Sequence, residues 1–315
     1  MAKIAYVFPG QGSQFPGMGK SLAENFPAAR EVFEEVDEAL GFRISRLCFE
    51  GPAETLQLTE NTQPAILSVS LAALRAMESE GFPSPDYVAG HSLGEYSALV
   101  AAGSLTLRDA VRTVRDRGRY MQEAVPPGQG AMAAVLGASL ADISKVCVDI
   151  RNGQVCEPAN INSHHQVVIA GNTEAIDRAI VGLKAIGARK AIKLNVSAPF
   201  HCTLMMPAQE RLAADLARLS LDDLRVPLVS NVDAVEVTKA QEARDSLVRQ
   251  VSSPVRWLES VELLIREGVE SFVEVGPGKV LSGLLRHISR NVKGHSVEDA
   301  AGFNQTGAHL GVFHR

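Results

Sequence analysis

The sequence predicts an α/β fold with two parts: a large α/β-hydrolase-like domain with a mainly parallel sheet, and an inserted small ferredoxin-like (βαββαβ) domain. Short apolar segments at residues 4–8, 87–89, 228–230 and 272–275 are separated by helical segments, which is typical of a parallel sheet covered by helices. Residues 131–194 instead follow the order β-α-β-β-α-β of a split-βαβ unit. The composition breaks at Pro126-Pro127-Gly128, where the second pattern begins.

These patterns give expected boundaries. The large domain takes residues 1–126 and 206–293, and the small domain takes residues 127–205. The polar, glycine-rich tail at 294–315 is expected to be partly a tag or weakly ordered.

Individual elements in the large domain have recognisable starts. Asn61-Thr62-Gln63-Pro64 predicts a capped helix start, with Pro64 in the first turn of an apolar helix through Leu74. Thr106 and Asp109 have the spacing of a capping box that opens a second, longer helix. Further helices are expected at residues 29–40, 207–219 and 280–288.

Bulk properties exclude several classes of protein. A net charge of -5 argues against a general nucleic-acid binder. No apolar run approaches the roughly 20 residues that span a bilayer, and the N-terminus predicts a first strand and not a signal peptide, so we expect a cytoplasmic protein. The cysteines have no C-x-x-C spacing, and we expect free thiols and no metal site; they are Cys48, Cys147, Cys156 and Cys202.

The strongest functional signal is the G-x-S-x-G motif at residues 90–94. An apolar run precedes it and a helix-prone segment follows, which is the strand-turn-helix context of a nucleophile elbow. Ser92 is therefore the candidate nucleophile, and the amide of Leu93 at the helix start is a candidate oxyanion donor.

A second glycine turn, at residues 9–14, follows the first strand. A dinucleotide site is a weak interpretation, because Phe15 stands where G-x-G-x-x-G needs its third glycine. A tight loop that lends one backbone amide opposite Leu93 fits better.

A serine nucleophile needs a base, and His201 is the leading candidate among eight histidines. It follows Pro199 at the expected domain junction, where a base could reach an interdomain cleft. His91 is expected on the far side of the turn, and His164 and His165 in an exposed turn. No acidic residue stands out as a third member, so a Ser/His dyad oriented by a backbone carbonyl is plausible.

Arg117 differs from the other arginines of its predicted helix. The other four form one solvated stripe, whereas Arg117 lies alone on the opposite flank. Two interpretations stay open at this point: an edge arginine that reaches water, or a partly buried cation that pairs with an anionic ligand.

Several motifs together resemble a known family. They are Phe8-Pro9-Gly10-Gln11-Gly12-Ser13-Gln14, Thr62-Gln63-Pro64, Gly90-His91-Ser92-Leu93-Gly94-Glu95, Arg117-Gly118 with Met121-Gln122, Ser197-Ala198-Pro199-Phe200-His201, Gln250 with Ser253-Pro254-Val255, and Val275-Gly276-Pro277-Gly278. In this order they resemble the malonyl-CoA:acyl-carrier-protein transacylases of bacterial type II fatty acid synthesis. The resemblance covers about residues 4–290.

The resemblance implies an acyltransferase in which Ser92 carries the malonyl group and His201 is its base. It further implies that the amides of Gln11 and Leu93 form the oxyanion hole, Arg117 holds the malonyl carboxylate, and the Gln250 carbonyl orients His201. Gln63 would line the pocket, and Asn160 and Asn162 would lie near the coenzyme A arm. The turn with His164 and His165 departs from the Pro-Gly that members often carry.

The implied partners are malonyl-CoA and a holo acyl carrier protein that binds transiently to a monomer, with no nucleic acid and no membrane. The coenzyme A thioester is a substrate, and neither half of a ping-pong transfer needs a bound cofactor. We expect Phe200 to narrow the acyl pocket to an unbranched malonyl group. A serine hydrolase using the same elbow and a silent carrier-binding domain remain alternatives.

Overall fold

The computed structural model describes residues 3–196 and 198–313, and it contains two sheets. Ser197, from the motif before His201, lies outside the described residues. The first sheet has the strand order β10-β9-β1-β2-β7-β8, and all its neighbours are parallel except β7 and β8. Its strands are β1 (Lys3–Phe8), β2 (Tyr87–Gly90), β7 (Leu228–Val229), β8 (Glu236–Val237), β9 (Val269–Val275) and β10 (Lys293–Val297).

The centre of the first sheet is buried on both faces, which explains why β1 and β2 are mainly apolar runs. Along β1, Tyr6 and Phe8 belong to one buried cluster, while Ala5 and Val7 belong to another on the opposite face. Both faces are covered by helices.

The large part of the chain contributes these helices: α1 (Lys20–Asn25), α2 (Pro27–Leu40), α3 (Ile44–Glu50), α4 (Ala53–Leu56), α5 (Thr59–Ser79), α6 (Gly94–Ala101), α7 (Leu107–Glu123), α10 (Met206–Leu216), α11 (Ala240–Gln250), α12 (Trp257–Arg266), α13 (Val280–Ile288) and α14 (Ala300–Leu310). The predicted capping box is confirmed, because the Thr106 hydroxyl accepts from the N–H of Asp109 at 3.1 Å. In the described part of the chain, no helix is long and apolar enough to cross a membrane.

The second sheet has the order β4-β5-β3-β6 and is antiparallel throughout. Its elements are β3 (Gly130–Leu136), α8 (Leu140–Ile150), β4 (Cys156–Ser163), β5 (Gln166–Asn172), α9 (Thr173–Ala185) and β6 (Lys190–Lys193). Ala131 and Ala133 pack with α8 and α9, whereas Met132 belongs to the core of the large part. The N–H of Ile161 also donates to the Val255 carbonyl at 2.9 Å, so this sheet is joined to the large part beside β4.

Two expectations about the elements are wrong. The tail after residue 293 is not weakly ordered: it forms β10, which pairs in parallel with β9, and α14. Phe303 of α14 is 1% exposed, and its ring centroid lies 4.3 Å from that of Phe26, so apolar packing holds the segment in place. His314 and Arg315 lie outside the described residues.

The helix expected to start at residues 61–64 starts earlier, at Thr59, and Pro64 lies inside it. Asn61 and Thr62 do not cap it, because their side chains donate to the carbonyls of Thr55 and Leu56 in the preceding helix. Their cap-like sequence therefore joins α4 to α5.

Candidate active site

The turn that carries the candidate nucleophile Ser92 has the predicted strand-turn-helix context: β2 ends at Gly90, and α6 begins at Gly94. Ser92 lies between them with φ 54°, in the left-handed region that non-glycine residues rarely adopt. A Cβ on Gly90 would lie 2.0 Å from the carbonyl carbon of Gly94, and one on Gly94 would lie 2.1 Å from the Phe8 oxygen. Both glycines are therefore required, because the strand and helix touch at the turn.

A second hydrogen-bonding group fixes this turn from outside. The Asn231 side chain accepts from the Ser92 N–H at 2.7 Å and donates to the Gly90 carbonyl at 2.6 Å. Because Asn231 follows β7, the neighbour of β2, the sheet itself sets the position of Ser92.

His201 lies against Ser92, the candidate nucleophile. Its Nε2 is 2.7 Å from Ser92 Oγ, and its Nδ1 is 2.9 Å from the Gln250 carbonyl oxygen. Since a carbonyl only accepts, Nδ1 carries the hydrogen and Nε2 is free to take the serine proton. Burial, and then the cation of Arg117, lower the pKa of His201 to about 3, so the imidazole is neutral at pH 7.

Arg117 is buried beside the same hydroxyl. The side chain is 1% exposed, which rules out the interpretation that it reaches water. Its Nη1 donates to Gln63 Oε1 at 2.7 Å, and its Nη2 donates to Ser92 Oγ at 3.0 Å and Gln250 Oε1 at 2.9 Å. All three acceptors are neutral, and burial lowers the pKa of Arg117. A desolvated cation with only neutral acceptors is suited to bind an anionic group.

Two backbone amides face the same space. Within residues 3–196 and 198–313, the N–H groups of Gln11 and Leu93 have no protein acceptor. Both residues border the cavity beside Ser92. They are therefore available to a negatively charged oxygen that forms there.

A cavity of about 180 Å³ opens from Ser92 between the two sheets. Apolar side chains from both parts line it, including Met121 of α7 and Val168 of β5. Every predicted site residue except Gln250 borders this cavity: Gln11, Gln63, Ser92, Leu93, Arg117, Asn160, Asn162, Phe200 and His201. Gln250 is fully buried behind it and touches Arg117 and His201.

Of the other three histidines considered above, one borders the cavity and two are exposed. His91 was expected on the far side of the turn, but it borders the cavity and its Nε2 lies 2.9 Å from Asn162 Oδ1. His164 and His165 are exposed, as predicted. His164 lies 3.3 Å from Glu262 and does not border the cavity.

The sequence reasoning missed Glu95 and Asn231. Glu95 is fully buried in α6, and its Oε2 accepts from Gln250 Nε2 at 2.8 Å and from the Asn231 N–H at 3.0 Å. Burial raises the pKa of Glu95 to about 7. One signal could have identified it: Glu95 is the single charged residue of a helix whose other residues are uncharged and mostly apolar. Asn231, a polar residue just beyond the carboxyl end of a parallel strand, gave a weaker signal.

Comparison with known proteins connects this geometry to a family. A family model for the acyl transferase domain matches residues 5–312. The malonyl CoA-acyl carrier protein transacylase of Bacillus subtilis (strain 168) is 49% identical over 300 residues, which cover 95% of this chain and 94% of that protein. The chain belongs to the malonyl-CoA:acyl-carrier-protein transacylase family.

Other members of the family match this chain over most of its length, in sequence and in structure. The transacylase of Escherichia coli (strain K12) is 50% identical over 288 residues, covering 91% of this chain and 93% of that protein. The solved transacylase of Coxiella burnetii superposes with a TM-score of 0.96 at 43% identity, covering 98% of each chain. A malonyl-transacylase solved in complex with its type II PKS acyl-carrier protein also gives 0.96 at 43% identity, covering 98% of this chain and 100% of that one.

Proposed function

We propose that this acyltransferase moves the malonyl group of malonyl-CoA to the phosphopantetheine thiol of an acyl carrier protein, through an ester on Ser92. One observation carries the proposal: the buried guanidinium of Arg117, whose Nη2 lies 3.0 Å from the nucleophilic oxygen. A malonyl group bound as an ester at Ser92 carries its free carboxylate a short distance from that oxygen. A hydrolase of uncharged esters would not require a buried cation there.

In the first half-reaction, His201 Nε2 accepts the Ser92 proton, and Oγ attacks the thioester carbon. Negative charge develops on the former carbonyl oxygen, where the amides of Gln11 and Leu93 would stabilise it. As the intermediate collapses, the coenzyme A thiolate leaves and His201 returns the proton to it. The Gln250 carbonyl keeps the proton-bearing Nδ1 in place throughout.

In the second half-reaction, the carrier's phosphopantetheine thiol gives its proton to His201 and attacks the ester. Ser92 leaves and is reprotonated by the same histidine. Water competes with the thiol, and the cavity between two sheets limits its access. Both steps exchange acyl groups without a change of oxidation state, so no cofactor is proposed beyond the coenzyme A thioester itself.

The remaining predicted residues serve binding. Gln63 holds Arg117 Nη1, and Phe200 would narrow the acyl end of the cavity. Asn160 and Asn162 lie on β4 at the opposite wall, where the pantetheine arm would enter. The carrier partner is favoured by the family and by the solved complex of a related malonyl-transacylase with its acyl-carrier protein.

We also propose the finer architecture. The strand order β4-β5-β3-β6 with crossing helices α8 and α9 supports a ferredoxin-like domain at about 127–205. The parallel sheet with its nucleophile elbow supports a hydrolase-like domain around it, extended through α14. The protein would act as a monomer in the cytoplasm.

The test is to incubate the protein with malonyl-CoA, with and without holo carrier protein, and to follow intact mass and free malonate. The proposal expects a malonyl adduct on Ser92 that holo carrier removes. A hydrolase would release malonate in both mixtures, and a silent carrier-binding domain would never form the adduct. Ser92→Ala is the control, and it should form none.

A further inference from the structure

Among the residues that the structure describes, Glu95 is the carboxylate that accepts hydrogen bonds from Gln250 and Asn231 behind the active site, and the mechanism above gives it no role. Its side chain neither borders the cavity nor bonds to Ser92 or His201. Its Oε2 holds two donors: the Gln250 amide and the Asn231 backbone N–H. Its Oε1 has no hydrogen-bond partner among the described residues.

The hydrogen bond from the Gln250 side-chain amide to Glu95 determines which way that amide is oriented. Because the Gln250 NH₂ faces Glu95 and also donates to the Ser92 carbonyl at 3.0 Å, its Oε1 must face the other way. That oxygen accepts from Arg117 Nη2, the same nitrogen that donates to Ser92 Oγ. A reversed amide would present NH₂ to the guanidinium, which is itself only a donor.

The second donor connects Glu95 to the nucleophile turn. Asn231 holds Ser92 through its side chain, and Glu95 holds the backbone of Asn231. One buried carboxyl group thus fixes both the cation and the turn that carries the nucleophile.

We propose that Glu95 is a positioning residue for acyl selection: as a hydrogen-bond acceptor, it sets the Gln250 amide that aims Arg117 at the malonyl carboxylate. The inference rests on the proposed function and deepens it. Its acceptor geometry, and not its charge, is what the site requires. A pKa of about 7 agrees with this, because part of the population is already neutral near neutral pH.

Three substitutions separate geometry from charge. Glu95→Gln keeps an oxygen that can accept from both donors, Glu95→Asp keeps the charge on a shorter side chain, and Glu95→Ala removes both. We expect the Gln variant to keep the preference for malonyl over acetyl in acylation of Ser92, although it should be less stable. In the Asp and Ala variants, the malonyl-to-acetyl rate ratio should fall roughly 10- to 150-fold, the range expected for one hydrogen bond to a charged group.

The matched control is Glu274, a second fully buried carboxylate, which accepts from the N–H groups of Leu281 and Ser282. Glu274→Gln and Glu274→Asp should cost stability and alter both acylation rates by a common factor. In an Arg117→Ala background, Glu95→Asp should not change the ratio further, because the group that it positions is gone.

Two results would overturn the proposal. A common-factor loss for malonyl and acetyl in the Asp and Ala variants would make Glu95 merely structural. Loss of preference in the Gln variant but not in the Asp variant would make it a counter-charge. A wild-type protein that does not form the malonyl adduct would instead overturn the proposed function, so the two failures are distinguishable.

Discussion

Removal of the Arg117 guanidinium should change which acyl group the enzyme accepts. In Arg117→Ala, a malonyl carboxylate would enter a buried pocket without its partner, at a typical penalty of about 2–5 kcal/mol. At about 1.4 kcal/mol per tenfold change, acylation of Ser92 by malonyl-CoA should fall roughly 30-fold to several thousand-fold. The upper part of this range is favoured because the three groups that accept hydrogen bonds from Arg117, on Gln63, Gln250 and Ser92, are all neutral.

Acetyl-CoA provides the contrast, since it has no carboxylate. Its slow acylation of Ser92 should persist or rise in Arg117→Ala, because the cation that helps to lower the pKa of His201 is gone and the base becomes stronger. Arg117→Lys should restore malonyl transfer only in part, because an ammonium cannot reproduce the two parallel hydrogen bonds of a guanidinium.

The assay is the rate of adduct formation on Ser92 by intact mass, with each acyl-CoA in turn. Arg119→Ala is the matched control: it lies on the same helix, is exposed, and pairs with Asp116 at 2.8 Å, so neither rate should change. The reasoning fails if Arg117→Ala lowers malonyl and acetyl acylation by the same factor, because Arg117 would then support the fold or the nucleophile.

Three further predictions follow from the site. Phe200→Ser should relax the preference toward methylmalonyl-CoA, because one methyl group is typically worth about 1–3 kcal/mol of discrimination; an unchanged ratio of the two rates would contradict this. Since native His201 stays neutral while its unfolded form protonates near pH 6.5, stability should be lost as the pH falls from 6.5 towards 3. His201→Gln should reduce that loss by up to about 1.4 kcal/mol per pH unit in urea unfolding at pH 7 and pH 5, and an equal loss in both proteins would count against it. Residues 127–205 carry seven Lys and Arg against five Asp and Glu, whereas the rest of the chain has a net charge of -7. An acidic carrier should therefore dock on residues 127–205, and transfer to it should slow with added salt more than self-acylation does. An equal salt dependence of the two steps would contradict this.

The parts of the site that the sequence predicted are those that local rules determine. The turn around Ser92 needs glycines on both sides because a strand and a helix meet there, and the whole pattern lies within five consecutive residues. The Thr106 cap is local in the same way. Arg117 could be singled out by helical spacing, but only the structure decides between its two interpretations, because its burial depends on α5 packing against α7 and on the distant side chain of Gln250.

The parts that the sequence did not predict depend on distant partners. The tail after residue 293 is polar and rich in glycine, yet it adds a strand to the sheet because the edge of β9 is free to pair. Glu95 and Asn231 are separated by 136 residues, and no pattern along the chain joins them. Gln250 was expected to orient His201 through its backbone carbonyl, whereas its side-chain amide also contacts Arg117 and Glu95.

The proposed nucleophile and base share a backbone feature that depends on both nearby and distant residues. Ser92 and His201 both have positive φ, 54° and 60°, although neither is glycine. Such conformations typically cost about 1–3 kcal/mol each and persist only where the surroundings hold them. Here the surroundings are the Asn231 amide for Ser92 and the Gln250 carbonyl for His201. Both of these residues also bond to Glu95, and the proposed nucleophile and base lie 2.7 Å apart. A malonyl carboxylate would then supply the anionic hydrogen-bond partner that Gln63, Gln250 and Ser92 do not give Arg117.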